Sequence, residues 1–568
     1  MGVLARLTGL VRRVGAARKP AIAALGEGAT LGANANEQHL ARVAFDAGSA
    51  ALRARDYAAA ITQLQRAIEL RHDDAEAHDC LGLAHLKLGH LDDAADCFLL
   101  AAHFRPDYPE ALFHQALVAQ RRGEHRDAVA HLERVVALRP ADAEAYNALG
   151  ASWLELGDAE RAITQFEKAV AARPDFAPAH NNLGYLLLRE RGDNERGTAH
   201  IETALRLAPH DDNVWCNYTI VLGRQGRLDE AIAVCNRLLA ARPDMHEARL
   251  NRALALLRLG RFEQAWADYE ARKQARSNYI PRPFRFPEWR GESLAGKSIL
   301  IYAEQGLGDE IMFASCLPDL LHVAGRCVLE CSPRLERIFH RSFPAVLVHG
   351  ATQSDPDTGW LAHAGRIDCQ IAAGSLPGHF RRQWSDFPRH AGYLHADASR
   401  VAHWRERLAA LGAGAKIGVS WRGGMASTRR ELRSMQLIDL APVLKTEGCE
   451  FVSLQYGDCS GELAALASAH GITVHHWQHA IDDYDETAAL VSALDLVISV
   501  QTAVVHLGGA LGKPVWVMVP AAPEWRYLQS GEAMPWYPSV RLLRQSQRGD
   551  WTPVIARVAQ DLAQFVGR

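Results

Sequence analysis

Residues 143–176 read AEAYNALGASWLELGDAERAITQFEKAVAARPDF, and the first half of the chain is a set of variations on them. Tyr146, Leu149, Gly150 and Trp153 follow one helical period, Ala162, Phe166 and Ala169 a second, and Pro174 closes the stretch. Pro106, Pro140, Pro174, Pro209 and Pro243 stand 34, 34, 35 and 34 residues apart. Earlier units carry His78, Leu81, Gly82, Ala94, Phe98 and Ala101, then Ala116, Ala128 and Leu132. Later ones carry His180, Leu183 and Gly184, one inserted residue, Ile201 and Ala204, then Trp215 and Ala231. Ala60, Leu64 and Ala67 mark a first unit, and Ala265 and Tyr269 begin a last. Each unit is predicted to be two amphipathic helices joined by a tight turn. Small residues let the helices approach, large ones fill the gap, and proline stops the second helix. One such pair cannot bury its apolar face alone, so the units must stack into a solenoid.

This pattern resembles the tetratricopeptide (TPR) repeat, with about seven repeats over residues 41–274. The resemblance implies a surface that holds a protein or peptide segment, or one that self-associates; it implies no chemistry. The chain's 568 residues, 48% hydrophobic and 23% charged, are ordinary globular composition. Balanced charge, 63 basic against 66 acidic residues, gives no reason to expect nucleic acid as a partner. No run approaches the roughly 18 apolar residues of a membrane helix. Arg6, Arg12 and Arg13 interrupt the apolar N-terminus, so a cytoplasmic protein is expected, with a basic, flexible tail over residues 1–40. Peripheral membrane contact through that tail stays open. The ten cysteines are scattered apart from Cys327 and Cys331, and the 26 histidines form no HExxH, so no metal or cofactor is expected.

Residues 275–290, with Pro281, Pro283 and Pro287 among aromatics, read as an extended connector. Beyond it, Val- and Ile-rich runs (SILIYAE, RCVLEC, AVLVHG, KIGVSW, EFVSLQYG, GITVHHW, LDLVISV, KPVWVMV) alternate with stretches of helical period such as 309–323, 437–445, 485–494 and 503–512. Alternation of this kind predicts parallel sheets. The looser segment from His379 to Trp404 divides them into two Rossmann-like lobes, 291–400 and 401–568, with the C-terminal helix packing back across. A cleft between two such lobes is a usual ligand site.

Four motifs bear on chemistry. Gly291 to Ser298 matches a P-loop by letter, but a proline-rich segment precedes it and a strand follows, the reverse of what phosphate binding needs. Glu304-Gln-Gly306-Leu-Gly308-Asp309 follows a strand and opens a helix, so Asp309 is either a functional carboxylate or a helix-dipole partner. Gln501-Thr502-Ala-Val-Val-His506 makes a second such turn, where free amides favour a phosphate, and His506 is either a ligand contact or a packed side chain. Gly418-Val-Ser-Trp421-Arg422-Gly423-Gly424 precedes a basic stretch, Thr428 to Ser434, either a phosphate clamp or a solvated loop. Asp482, Asp483 and Asp485 read as a solvated helix start, with ribose or base recognition as the alternative.

Together, GLGDEIMFASCLP, GVSWRGG, SLQYG, the stretch from DETAAL to VMVP, and PEWRYL resemble the bacterial heptosyltransferase-type glycosyltransferases, and more closely the TPR-fused branch compared with protein O-GlcNAc transferase. The resemblance implies a GT-B fold with the acceptor on the first lobe and a nucleotide-sugar on the second. It implies Asp309 as general base, and Gly306, Gly308, Trp421, Arg433, Ser434, Gln501, Thr502, His506 and Gly508 as substrate and nucleotide contacts, with no metal. Gln501 departs from the pattern, which has aspartate there. The function expected is therefore inverting, metal-independent sugar transfer to an acceptor presented by the repeats, with protein among the candidate acceptors. The alternative is a non-catalytic TPR scaffold with a degenerate glycosyltransferase fold, acting in assembly or export of surface glycans.

Overall fold

The computed structural model describes residues 30–275, 279, 281–352, 355, 357–424 and 430–567. The basic tail lies outside these residues up to position 29; from Thr30 the chain is helical, through Arg53. The chain divides into two compact units, 1–187 with 195–209, and 188–194 with 210–568.

The first unit is built from antiparallel helix pairs: Thr30–Arg53 with Tyr57–Leu70, Ala75–Leu88 with Leu91–Phe104, Pro109–Arg121 with His125–Leu138, and Ala143–Glu155 with Ala159–Ala172. The residues that set the sequence period are the ones buried, among them Ala60, Leu64, Phe98, Leu132, Ala162 and Phe166. Glycine in the first helix of the second and fourth pairs is a contact requirement, while Ala116 takes that place in the third. A Cβ on Gly82 would lie 2.6 Å from the Phe98 ring, and one on Gly150 would lie 2.7 Å from Phe166. Side chains of Asp56, Asp74, Asp142 and Asp158 accept hydrogen bonds from first-turn amides and so cap their helices. Arginine at the end of one pair reaches glutamate at the start of the same pair, as in Arg105–Glu76 (3.2 Å) and Arg173–Glu144 (3.0 Å). These pairs are exposed, worth about 0–1 kcal/mol each.

The one 35-residue spacing has a local cause. The helix Ala177–Leu186 runs into a π-helical turn, Leu187–Arg191, before the helix Asn194–Leu207. A π turn takes up one extra residue without breaking the helix. Three further helix pairs are thus completed by Asp212–Arg224 with Leu228–Ala241, and His246–Arg258 with Phe262–Tyr269.

The second unit continues from these helices into two sheets. In the first, β1 (Ser298–Tyr302), β2 (Arg326–Cys331), β3 (Val346–Gly350) and β4 (Cys369–Ala372) lie in the order β3-β2-β1-β4, all parallel. The second holds β5 (Ala415–Ser420), β6 (Cys449–Ser453), β7 (Leu496–Ser499), β8 (Val515–Val519), β9 (Ala533–Met534) and β10 (Tyr537–Arg544) in the order β6-β5-β7-β8-β10-β9. Only β9 pairs antiparallel among them.

Local differences from the sequence expectation have physical reasons. GITVHHW touches the second sheet through a single bridge, Val452 to His475, while the short β4 and the polar-flanked β10 are true strands. The helical stretch 309–323 is two helices, Leu307–Ala314 and Leu317–Val323, because Pro318 opens a new first turn. The connector lies against the first sheet's edge: Gln370 N donates to Pro287 O and Trp289 N to Gln370 O. Arg282 of the connector makes a bidentate pair with Glu330 of β2 (2.7 and 2.8 Å). The C-terminal helix Thr552–Val566 buries Val554, Ile555, Val558 and Leu562 in the second sheet's core.

Gly150→Leu is expected to destabilise the repeats by about 1–3 kcal/mol, since Phe166 has nowhere to retreat. A lowered thermal midpoint by circular dichroism at the helical signal checks this; an unchanged midpoint would show that the helix pair can open.

Candidate functional site

The residues singled out from sequence fall at the carboxyl ends of the two sheets. Leu307–Ala314 follows β1, and Ala503–Ala510 follows β7. These helices touch at Gly308, where an added Cβ would lie 3.0 Å from the His506 ring. Gly308 therefore permits the approach of two helices. Gly306 caps the first of them from a partly open turn.

Asp309 is paired with Arg526, which lies 217 residues away in the short turn Trp525–Tyr527. Burial raises the Asp309 carboxyl above its usual range, and the guanidinium works against that rise. Arg526 is also 3.8 Å from Glu524 and stacks over Trp525. His506 is buried, with Nδ1 3.1 Å from the Tyr537 hydroxyl and Nε2 3.4 Å from that of Tyr527. Burial, aided by Arg526 and Arg433, lowers its pKa to about 3, so the ring is neutral. Both nitrogens face tyrosines, and a cationic phosphate contact is not what this histidine supplies.

Trp421 is fully buried in the second sheet's core, with its indole N–H donating to Glu462 (3.3 Å). Gly508 packs its helix on β8, 2.7 Å from Val515 for an added Cβ. Thr502 lies 3.1 Å from the Ser499 hydroxyl. Gln501 is 2% exposed and its amide nitrogen has no hydrogen-bond partner among the described residues. Ser434 accepts from Gly423 N (3.1 Å), and Arg433 ends the turn Arg430–Arg433 beside it. Thr428 and Arg429 lie outside the described residues. A cavity of about 740 Å³ opens at this edge, lined by Arg422, Ser434, Gln436, Glu462, Gln545 and Arg548 among others. Of the ten residues predicted from sequence, Ser434 alone lines it, and Asp309 does not.

The acidic cluster divides: Asp482 is exposed to solvent, as a solvated helix start would be, whereas Asp483 is partly buried and Asp485 fully so. Asp485 is buried in a bidentate pair with Arg341 (2.9 Å for both bonds), and Arg400 pairs with Glu486 (2.6 Å). Sequence reasoning gave no role to Arg526, Tyr527, Tyr537 or Gln455. Gln455 accepts from Trp421 N and Arg422 N and so fixes the turn after β5. The motif PEWRYL held Arg526 and Tyr527 in plain view, but not their partners.

Models of the tetratricopeptide repeat match residues 55–89, 113–175, 154–212 and 220–279. Protein FlbA of Caulobacter vibrioides is 33% identical over 549 residues, 93% of this chain and 90% of FlbA. The chain belongs to the FlbA family. Among solved structures, MamA is 22% identical (TM-score 0.27; 30% of this chain, 92% of MamA), and PilF of Pseudomonas aeruginosa is 15% identical (TM-score 0.36; 38% of this chain, 99% of PilF). These findings correct the expectation of a heptosyltransferase-like enzyme with a nucleotide-sugar donor: the matches are to tetratricopeptide-repeat models and to protein FlbA, not to that glycosyltransferase family. In this FlbA-family chain Asp309 is tied to Arg526, His506 is enclosed by Tyr527 and Tyr537, and Trp421 lies in the core.

Asp309→Ala and Arg526→Met are each expected to cost about 3 kcal/mol, because each strands a largely buried charge. The double variant should cost less than the sum, measured by a double-mutant cycle in denaturant; additive losses would show that the pair does not couple. His506 binds its proton in the unfolded chain near pH 6.5 but in the folded chain only near 3. Its contribution to stability is therefore full above pH 6.5 and lost as pH falls toward 3. Thermal midpoints of His506→Gln between pH 7 and 5 should fall less steeply than those of the unchanged protein.

Proposed function

We propose that this chain is a non-catalytic TPR scaffold that holds a protein or peptide segment on its repeats and acts in the assembly of a larger complex. The observation that carries this is the repeated surface of the first helices. Leu83, Leu117, Ala151 and Tyr185 occupy the same place in successive repeats, and each is only half-buried. Asn182 donates to Asn147 (2.9 Å) in the neighbouring repeat, on the same helices. Apolar side chains at one register and amide groups beside them suit an extended peptide, which brings both side chains and unpaired backbone groups. Membership of the FlbA family and the repeat matches support the same assignment.

In this proposal the two parallel sheets are doubly wound, Rossmann-like lobes used as a structural module. The Asp309–Arg526 pair and the His506 tyrosine contacts hold the lobes to each other. Among the described residues no helix is long and apolar enough to cross a membrane. The ten cysteines are free thiols, which supports a cytoplasmic location.

A partner identified by crosslinking in cells and then purified gives the test. Leu117→Glu and Tyr185→Glu should each weaken its binding at least tenfold with the fold intact, while Asp309→Asn leaves binding unchanged. Equal affinity for all four proteins would reject the repeat surface as the binding site. Asp309-dependent turnover by the purified chain would reject the non-catalytic assignment.

A further inference from the structure

The turn between the helices Ala75–Leu88 and Leu91–Phe104 brings three metal-binding side chains together. His85 Nδ1 lies 3.5 Å from His90 Nδ1 and 3.9 Å from Asp93 Oδ2, and all three ligand atoms lie within 4.8 Å of one another. Among the described residues this is the one group of histidine, cysteine and acidic side chains that converges so closely.

Backbone geometry sets this up. Gly89 takes a left-handed conformation (φ 81°), and His90 N donates to His85 O (3.0 Å), so the two histidines are held across one tight turn. Asp93 follows His90 by three residues, on the same face of the next helix. At the same place in other repeats Asp56 and Asp158 cap the helix by accepting from a backbone amide, whereas Glu124, Arg227, Arg261 and His90 make no side-chain cap bond. The His90 ring is turned to His85 instead. The neighbouring Asp92 is paired with Arg122, which leaves Asp93 as the carboxylate facing the histidines.

We propose that His85, His90 and Asp93 form a binding site for a divalent first-row transition ion such as zinc. Zinc binds imidazole nitrogen at about 2.0–2.1 Å, so two ligands at tetrahedral positions stand about 3.3 Å apart. The His85–His90 separation of 3.5 Å is close to that edge. Asp93 is exposed and needs a small side-chain rotation to close the third. With His90 and Asp93 exposed, a bound ion keeps a position toward solvent, open to water or to a partner's side chain.

The test uses the tag-free full chain titrated with cobalt(II), followed by visible absorption, and then displaced with zinc. One equivalent should bind with the absorption of a four- or five-coordinate ion. His85→Ala and His90→Ala should each weaken that equivalent at least tenfold, and Asp93→Asn by less, with unchanged circular dichroism. His90 is exposed, so its variant keeps the test valid if the His85 variant fails to fold. No bound equivalent in the unchanged protein, or the same titration in the His90 variant, would overturn the site.

Discussion

The ion pair between Arg272 and Glu304 holds the end of the repeats to the start of the first sheet. Arg272 ends the last helix pair and is 3% exposed; Glu304, two residues past β1, is 1% exposed. They meet at 3.0 Å. A buried pair is costly unless further hydrogen bonds share its charge. Here Arg272 also donates to Ser375 Oγ (2.9 Å) and Glu270 (2.8 Å), and Glu304 accepts from Gly374 N (3.0 Å). The cations beside Glu270 outweigh its burial and lower its pKa to about 2.

From this anchor the aromatic side chains carry the connection onward. Trp266 donates to Arg381 O (2.8 Å), and the Trp266 and Tyr269 rings meet Trp525 edge-on. Trp525 adjoins Arg526, whose partner is Asp309 on the helix that Glu304 leads into. The last repeat, the first sheet and the second sheet thus converge on one cluster of rings and charges. It explains why residues with the chemistry of an active site are engaged with one another.

The repeats were legible in fine detail because their determinants are local. Helical period, the glycine under Phe98 or Phe166, and the closing proline all act within one unit. Even the extra residue before Ile201 was visible as a spacing of 35, and only its form, a π turn at Leu187–Arg191, needed the structure. In the second half, strands such as β1, β2 and β8 were legible as apolar runs. The short β4 was not, nor was β10, whose polar flanks obscure it. The strand expected after Gly291 to Ser298 is present as β1.

The sequence by itself determined the repeat register, the alternation of strands and helices, and the types of residue at each strand-to-helix turn. Those follow from covalent neighbours and periodicity. What only the tertiary structure decided is whom the polar residues face. Asp309 meets Arg526 across 217 residues, and His506 meets tyrosines 21 and 31 residues on. A carboxylate or an imidazole at a turn has the same letters whether it awaits a substrate or neutralises a neighbour. The electrostatic cost of leaving it buried and unpaired settles the difference, and that cost exists only once the distant partner has arrived.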